Sequence, residues 1–474
     1  MSSTESDLSQ TTGTGTLTRY PEGSIREVLH VSYPLMISYL SGYLMLFIDR
    51  LILARFSHEA MNTVATVGLV CYVFDYGLIG ITAIVEVLVG RLNGAGKFDR
   101  LGEPVWQAMW LCIFSFAVCI PLAFWGGKYL VPTIYQELGT KYYFISMLSC
   151  PFFGLSAAVG SFFIGQGKGL VVTVAVIIAN IVNLLLSLVL VFGFWVFPRL
   201  GPQGAAISTA VAQIIQVVIL VMVFLSKNNR VKFGSNLWKF NFNIFKDVVN
   251  LGLPNSLSHI LEISAWALVA NMLAAVGNEQ VTLFSLGQSL FILFAFFSEG
   301  LQKGVMAISA NFIGAKRYHL IAKNLSSANY VHMVFCVGLL FLLSIHPNMI
   351  IDLFFAEEVL SSIDNQQIFN LLDKVNNNCL WVLLYFTLDG FVWIRSAILT
   401  SFGDMKFIIL TNLINVAIFG VLPIYILIVK AYYPTDISSW QLVSMSAVIN
   451  FIVFYGRSKY KIKAINNVLY DGAT

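Results

Sequence analysis

The chain has 474 residues, of which 58% are apolar and only 11% charged, with a mean hydropathy of +0.79. A soluble domain usually carries about 25% charged residues, so this composition excludes one and predicts a polytopic helical membrane protein. The net charge is only +4, and no basic cluster beyond the short loops offers a nucleic-acid interface.

The first thirty residues are polar and rich in Ser and Thr, with no basic-then-apolar signal pattern. They read as a tail without a cleaved signal peptide. Apolar stretches then follow at 31–56, 63–90, 104–130, 143–165, 169–195 and 203–226, and again at 250–276, 281–309, 328–351, 379–402, 407–430 and 440–456. Each is long enough to cross a bilayer as a helix, which gives twelve spans. Residues 31–226 form one six-helix unit and 250–456 a second. Between them, 227–249 carries Lys227, Arg230, Lys232, Lys239 and Lys246 and reads as a linker; 457–474 is a second tail. The other long connection is 352–378.

Placing the N-terminus inside puts about 19 Lys and Arg on the inner side and about 7 on the outer side. Both termini are therefore expected in the cytoplasm. The halves echo each other at a displacement of 220 residues. "SYPLMIS" with Pro34 opens span 1 and "GLPNSLS" with Pro254 opens span 7; Gly94-Ala95 follows span 2 and Gly314-Ala315 follows span 8. Six-span halves share one topology, so the repeat is parallel, about an axis along the membrane normal. Transporters use that architecture, with the substrate between the halves.

Ionisable residues inside spans are expensive and usually functional. Here they are Asp49, Asp75, Glu86, Glu262, Glu299, Lys303, Asp389 and Arg395. Glu299 and Lys303 are four apart and read as an ion pair within span 8. Glu86 near Arg91 reads as interfacial, and Arg395 as snorkelling or paired with an acid. Asp75 has no assigned role. Glu262 lies about 12 Å past Pro254, with His259 on its face and no basic residue three or four positions away. Asp389 has Tyr385 four residues before it, within reach of its carboxylate. Two such acids brought together form an oxygen site in which a proton or a sodium ion could sit. The six cysteines lie scattered, mostly inside apolar runs, without metal spacing. "HEAMN" at 58–62 lacks the second His of a zinc-protease motif, and no GxSxG turn appears. No enzyme is expected.

At these residues the chain resembles the multidrug and toxic compound extrusion (MATE) family, NorM-type branch, over nearly its whole length. "YLMLFIDRLILARFS" is similar to the family's Val-Asp-Thr segment, with Asp49 as its acid. "RLNGAGKFD" and "FIGAKRYH" resemble its Gly-Ala-Gly turns, and "GPQGAAIST" at 201–209 its loop after span 5. "GLPNSLSHILEISAWALV" carries Glu262 on the family glutamate, and "YFTLDGFVWIRSAILTSFGD" carries Tyr385 and Asp389 on the family tyrosine and aspartate. The resemblance implies two six-helix bundles around a V-shaped cavity. It implies an antiporter of the plasma membrane (the inner membrane in a bacterium), exporting organic cations or lipophilic compounds against Na+ or H+, with no cofactor. Glu262, Tyr385, Asp389 and Asp49 are its expected coupling residues, Glu262 and Asp389 its expected Na+ ligands, and a small molecule, the bilayer and a monomeric state its expected partners.

There are departures. Asn183 is followed four residues later by Ser187 rather than an Asp, so the N-terminal half keeps Asp49 without a second acid. Asn180, Asn183 and Ser187 are left as a polar site around it. Leu399 to Ser401 replaces the family's Leu-Arg-Gly. A lipid-linked glycan flippase or a specialised-metabolite exporter on the same fold is the alternative; a flippase would call for several cavity arginines, and only Arg50 and Arg395 lie inside spans. A channel is a further reading, which alternating access explains less well.

Overall fold

The computed structural model describes residues 17–194, 196–345, 365–430 and 438–471. Residues 1–16, 195, the expected end of span 9 at 346–351, the 352–364 part of the 352–378 connection, 431–437 and 472–474 lie outside the described residues. Among the described residues, twelve helices are long and apolar enough to cross a membrane: α1 (Ile25–Phe56), α2 (His58–Gly94), α3 (Phe98–Leu130), α4 (Thr133–Gly165), α5 (Gly169–Phe192), α6 (Pro202–Phe224), α7 (Phe242–Ala274), α8 (Gln280–Gly314), α9 (His319–Ile345), α10 (Lys374–Ser401), α11 (Met405–Val429) and α12 (Ser439–Ile465). All twelve expected spans are present.

Several helices outrun their apolar stretch, because hydropathy marks the hydrocarbon and capping marks the helix. α1 begins six residues before its expected span. The Ser24 side chain accepts from the Glu27 N–H at 3.3 Å, and the Glu27 carboxylate reaches back to the Gly23 N–H at 2.6 Å. These two bonds satisfy donors that a helix start leaves open. Ser57 ends α1 and starts α2, its hydroxyl accepting from the Ala60 N–H. Gly193 closes α5 in the left-handed region, and Pro202 sits in the first turn of α6, where its missing N–H costs nothing.

The halves meet along reciprocal seams: α1 packs on α8, and α2 on α7. Close approach depends on glycines, as in GxxxG packing. Gly300 and Gly304 of α8 face Met36 and Ser32 of α1, and a Cβ on either would strike them. Gly80 of α2 faces Ser256, and Gly252 of α7 faces Ile81. The repeat holds in detail at the ends of α2 and α8. Ala95 (φ −76°, ψ 0°) and Ala315 (φ −76°, ψ −1°) cap them identically. Gly94 abuts Asn311, while Gly314 abuts Arg91, the residue equivalent to Asn311 in the other half.

Several lobe-to-lobe bonds lie in the half of the molecule that also carries the linker and the start of α1. Asn93 donates to Asn311 at 2.6 Å, Arg91 to the Ser401 carbonyl at 2.5 and 3.1 Å, Asn255 to the Gly80 carbonyl at 2.8 Å, and Arg317 pairs with Glu22. Toward the other end Leu44, Phe47 and Leu51 of α1, Leu69 of α2 and Leu268 of α7 are exposed. Exposed apolar side chains also occur at the basic end of these helices, at Leu29, Tyr33, Leu253 and Leu257, as expected of faces that meet lipid. The linker's short helix, Lys227–Phe233, leads into a strap over α3, where Trp106, Trp110 and Gln107 donate to the carbonyls of Ser235, Trp238 and Lys239 at 2.8, 2.9 and 3.0 Å.

Candidate functional site

In the second lobe, Glu262 of α7 is half-buried, while Asp389 of α10 is only 8% exposed. Their helices do not form a tight seam, because α8 runs between them and packs on α10. The two helices are linked at this level through the Trp266 ring of α7, 5.9 Å from that of Tyr385 on α10. Gly390 lets α10 close on α9 at this level: a Cβ there would enter the His332 ring, whose Nε2 lies 3.0 Å from the Thr387 carbonyl.

Tyr385 does not donate to Asp389. Its ring is fixed in an aromatic box instead, 5.9 Å from Trp266, 5.3 Å from Phe291 and 5.6 Å from Trp440. Spacing placed the two side chains on one face, but burial of three large rings decides the rotamer. Trp266 and Tyr385 each sit one turn from the acids toward the end away from the linker, so the box roofs them. Asp389 instead shares a narrow gap with Ser298 of α8, walled by Phe291, Phe386 and Trp393.

In the first lobe, Asp49 accepts from Ser187 at 3.3 Å; Ser187 also lies 2.6 Å from Ser208 and 3.2 Å from the Asn183 side-chain oxygen. Asn183 donates to Thr209 at 3.0 Å. Helices α1, α5 and α6 thus join around one carboxylate through neutral groups. Asn180 lies outside this set and donates to Ser41 at 2.7 Å.

The intrahelical Glu299–Lys303 pair is not formed. The face of α8 that bears Gly300 and Gly304 lies against the first lobe, and both charges reach across. Lys303 pairs with Glu86 of α2 at 3.1 Å, and Tyr43 of α1 donates to Glu299 at 2.5 Å. Glu86 is fully buried rather than interfacial. These two links form a floor where α1, α2 and α8 meet. Sequence spacing missed this floor; the GxxxG at 300–304 was the signal available for it. Arg395 neither snorkels nor meets an acid: it is 5% exposed, with its guanidinium over Phe451 at 4.9 Å, Tyr455 at 5.2 Å and Phe391 at 5.9 Å. Asp75 is 5% exposed, with one carboxylate oxygen unpartnered.

At the basic end, Asp404 between α10 and α11 accepts from Arg457 at 2.7 Å and lies 3.5 Å from Lys461. Burial opposes its charge, but the two cations outweigh burial and hold the carboxyl below its usual range.

A family model described as MatE matches residues 34–189 and 254–426. Proteins named "Probable multidrug resistance protein NorM" from Listeria monocytogenes serotype 4b and Bacillus cereus are 22% and 24% identical over 303 and 304 residues. Each match covers 62% of this chain and 66% of the relative, so the chain spans just under two thirds of the length of these curated relatives. Among solved structures, one described as MATE in the straight conformation superposes with a TM-score of 0.84 at 15% identity, covering 97% of this chain and 100% of that one. An outward-facing multidrug resistance MATE family transporter of the MOP superfamily gives 0.81 at 16%, covering 96% and 99%. A MOP superfamily transporter from Pyrococcus furiosus, described as having a binding pocket of reverse polarity, gives 0.80 at 16%, also covering 96% and 99%. At these identities the structural likeness establishes the fold.

Proposed function

The chain belongs to the MatE family, and from that membership we propose that it is a secondary active antiporter exporting organic cations or other lipophilic compounds in exchange for Na+ or H+. The observation that best supports this is a pair of acids inside the second lobe, Glu262 on α7 and Asp389 on α10, beneath one aromatic box of Trp266, Phe291, Tyr385 and Trp440. We assign 31–226 and 250–456 as the two moving units and 227–249 as their tether. We put the basic end in the cytoplasm because of its excess of Lys and Arg, and read the lobe-to-lobe bonds there as the closed cytoplasmic side. A single chain encloses the cleft, which favours a monomer.

In the proposed cycle, an external cation neutralises Glu262 and Asp389. The cleft then holds a cationic substrate less tightly, and the substrate leaves. The neutralised site tolerates a drier environment, the seams at the basic end part, and the cation is lost to the cytoplasm. The restored negative charge draws the next substrate. Coupling follows because each ligand weakens the other's binding. A glycan flippase is less well supported: Lys303 is tied to Glu86 and Arg395 is enclosed by rings, which leaves few cations free for a phosphate.

The test is dye efflux from proteoliposomes under an imposed Na+ gradient, then an imposed pH gradient. Glu262→Gln and Asp389→Asn are expected to abolish gradient-driven efflux. Wild-type rates in either variant would overturn the mechanism.

A further inference from the structure

The linker between the lobes is apolar as well as basic. Val231, Trp238 and Phe242 are 77%, 58% and 67% exposed, and Leu237 and Phe240 are exposed beside them. A connection that runs through water rarely gathers so many large apolar side chains, and a cluster of them marks an interaction surface. Phe240 stands 6.1 Å from Phe114 of α3 and 5.2 Å from Phe245 at the start of α7. Phe114 lies within an expected span and is exposed together with Ile113 and Val118. The aromatic surface of the linker thus continues an apolar surface of α3.

The backbone of this segment is irregular, and irregular chain beside hydrocarbon needs protein partners for its polar groups. Trp106, Trp110 and Gln107 supply them to the carbonyls of Ser235, Trp238 and Lys239, and the Gln107 oxygen accepts from the Asn241 N–H. Two of these donors are indole N–H groups, which suit the boundary between lipid and water.

The charges point the same way. Lys227, Arg230, Lys232, Lys239 and Lys246 are all exposed, and Asp247 is the only acid between residues 227 and 249. Other cations in this half of the molecule have acids: Arg100 meets Glu103, Arg317 meets Glu22, and Arg457 and Lys461 share Asp404. Among the described residues, none of the five linker cations forms an ion pair. Exposed rings interleaved with unpaired cations, joined to the surface of a span, fit a lipid surface with negative headgroups. The rings enter the interface, and the ammonium and guanidinium groups meet phosphate.

We propose that residues 227–246 are a docking surface for anionic phospholipid in the adjoining leaflet. Trp238, Phe240 and Phe242 supply the inserted rings, and Arg230, Lys232, Lys239 and Lys246 hold the headgroups. The inference does not depend on the antiporter reading.

The experiment places a bimane fluorophore at Asn236→Cys, an exposed position between the linker helix and Trp238; the six native cysteines are buried. The labelled full-length protein is reconstituted in phosphatidylcholine vesicles containing a small fraction of phosphatidylglycerol. Bromine is carried near the top of the acyl chains, on one lipid or on the other. Both brominated lipids are expected to quench. Per molecule, phosphatidylglycerol is expected to quench at least about fivefold more, the attraction of one well-placed cation. Arg230, Lys232, Lys239 and Lys246 changed together to Gln are expected to bring that preference below about twofold, with quenching by phosphatidylcholine retained. High salt is expected to weaken the preference in the wild type. Equal quenching by the two lipids in the wild type would overturn the anionic specificity, and a preference that survives the fourfold change would overturn the assignment to these cations. Absence of quenching by either lipid would leave the surface to water or a soluble protein and overturn the proposal.

Discussion

Replacing Lys303 with Met removes the only cation that pairs with Glu86 among the described residues. Glu86 is 0% exposed and already has one carboxylate oxygen without a partner, whereas the Lys303 side chain keeps 18% of its exposure. Breaking a buried pair by deleting one partner costs about 3–5 kcal/mol, because a charge is left uncompensated in a poor solvent. The cost falls on the sealed arrangement, in which α2 and α8 touch; parting the lobes lets water reach Glu86. Taking about 3 kcal/mol gives a shift of roughly a hundredfold toward the parted form. A minor state of about 1% would then approach half of the population. Spin labels at Lys97→Cys and His319→Cys, both exposed and on opposite lobes at the basic end, report this by pulsed electron resonance; the six native cysteines are buried. Lys303→Met is expected to add a longer-distance population. Glu86→Gln combined with Lys303→Met, which removes both charges, is expected to return most of it. A Lys303→Met distance distribution that overlays the wild type would refute the reasoning, as would a double variant shifted as far as the single one.

Tyr385→Phe keeps the ring contacts with Trp266, Phe291 and Trp440 and removes a hydroxyl that makes no bond to Asp389. It is expected to retain cation-driven efflux within about twofold, whereas Tyr385→Ala, which opens the box, is expected to lose about 3–5 kcal/mol of stability in thermal unfolding. Asp404 titrates lower in the folded protein than its unfolded value of about 3.8. Its contribution to stability is therefore present above that value and is lost as pH falls through the folded value. The difference in melting temperature between wild type and Asp404→Asn is expected to be constant from about pH 5 to 8 and to shrink below about pH 4; a gap that widens on acidification would contradict the sign.

The twelve helices were legible because apolar runs of bilayer length admit few other structures in lipid. The repeat was legible at Gly94-Ala95 and Gly314-Ala315 because both pairs meet the same geometric demand. What failed was the choice of partner for charges on helix faces. Spacing of four puts Glu299 beside Lys303, and Tyr385 beside Asp389, on one face. It does not say what that face meets. Gly300 and Gly304 bring α1 against the first pair, so each charge finds a partner on the first lobe at lower cost. Around the second pair, Trp266 and Trp440 arrive from helices distant in sequence and claim the tyrosine ring. Asn180 took Ser41 in place of Asp49 for a similar reason: one turn of helix separates it from Asn183, so it meets α1 at Ser41 while Asn183 meets α6 at Thr209. The chemistry of each group could be read locally, whereas the pairings depend on contacts between helices.

The strap over α3 has a mechanical consequence. Three side-chain donors of α3 grip the main chain at Ser235, Trp238 and Lys239, and the Asn241 N–H returns a bond to Gln107 at 3.0 Å. The connecting segment is thus clamped to the first lobe almost to the first turn of α7, where the Asn241 side chain accepts from the N–H groups of Asn243 and Ile244. Little slack is left for a long tether to pay out. Rotation of one lobe against the other is confined on this path to a fulcrum one or two residues wide, at the threshold of the helix that carries Glu262.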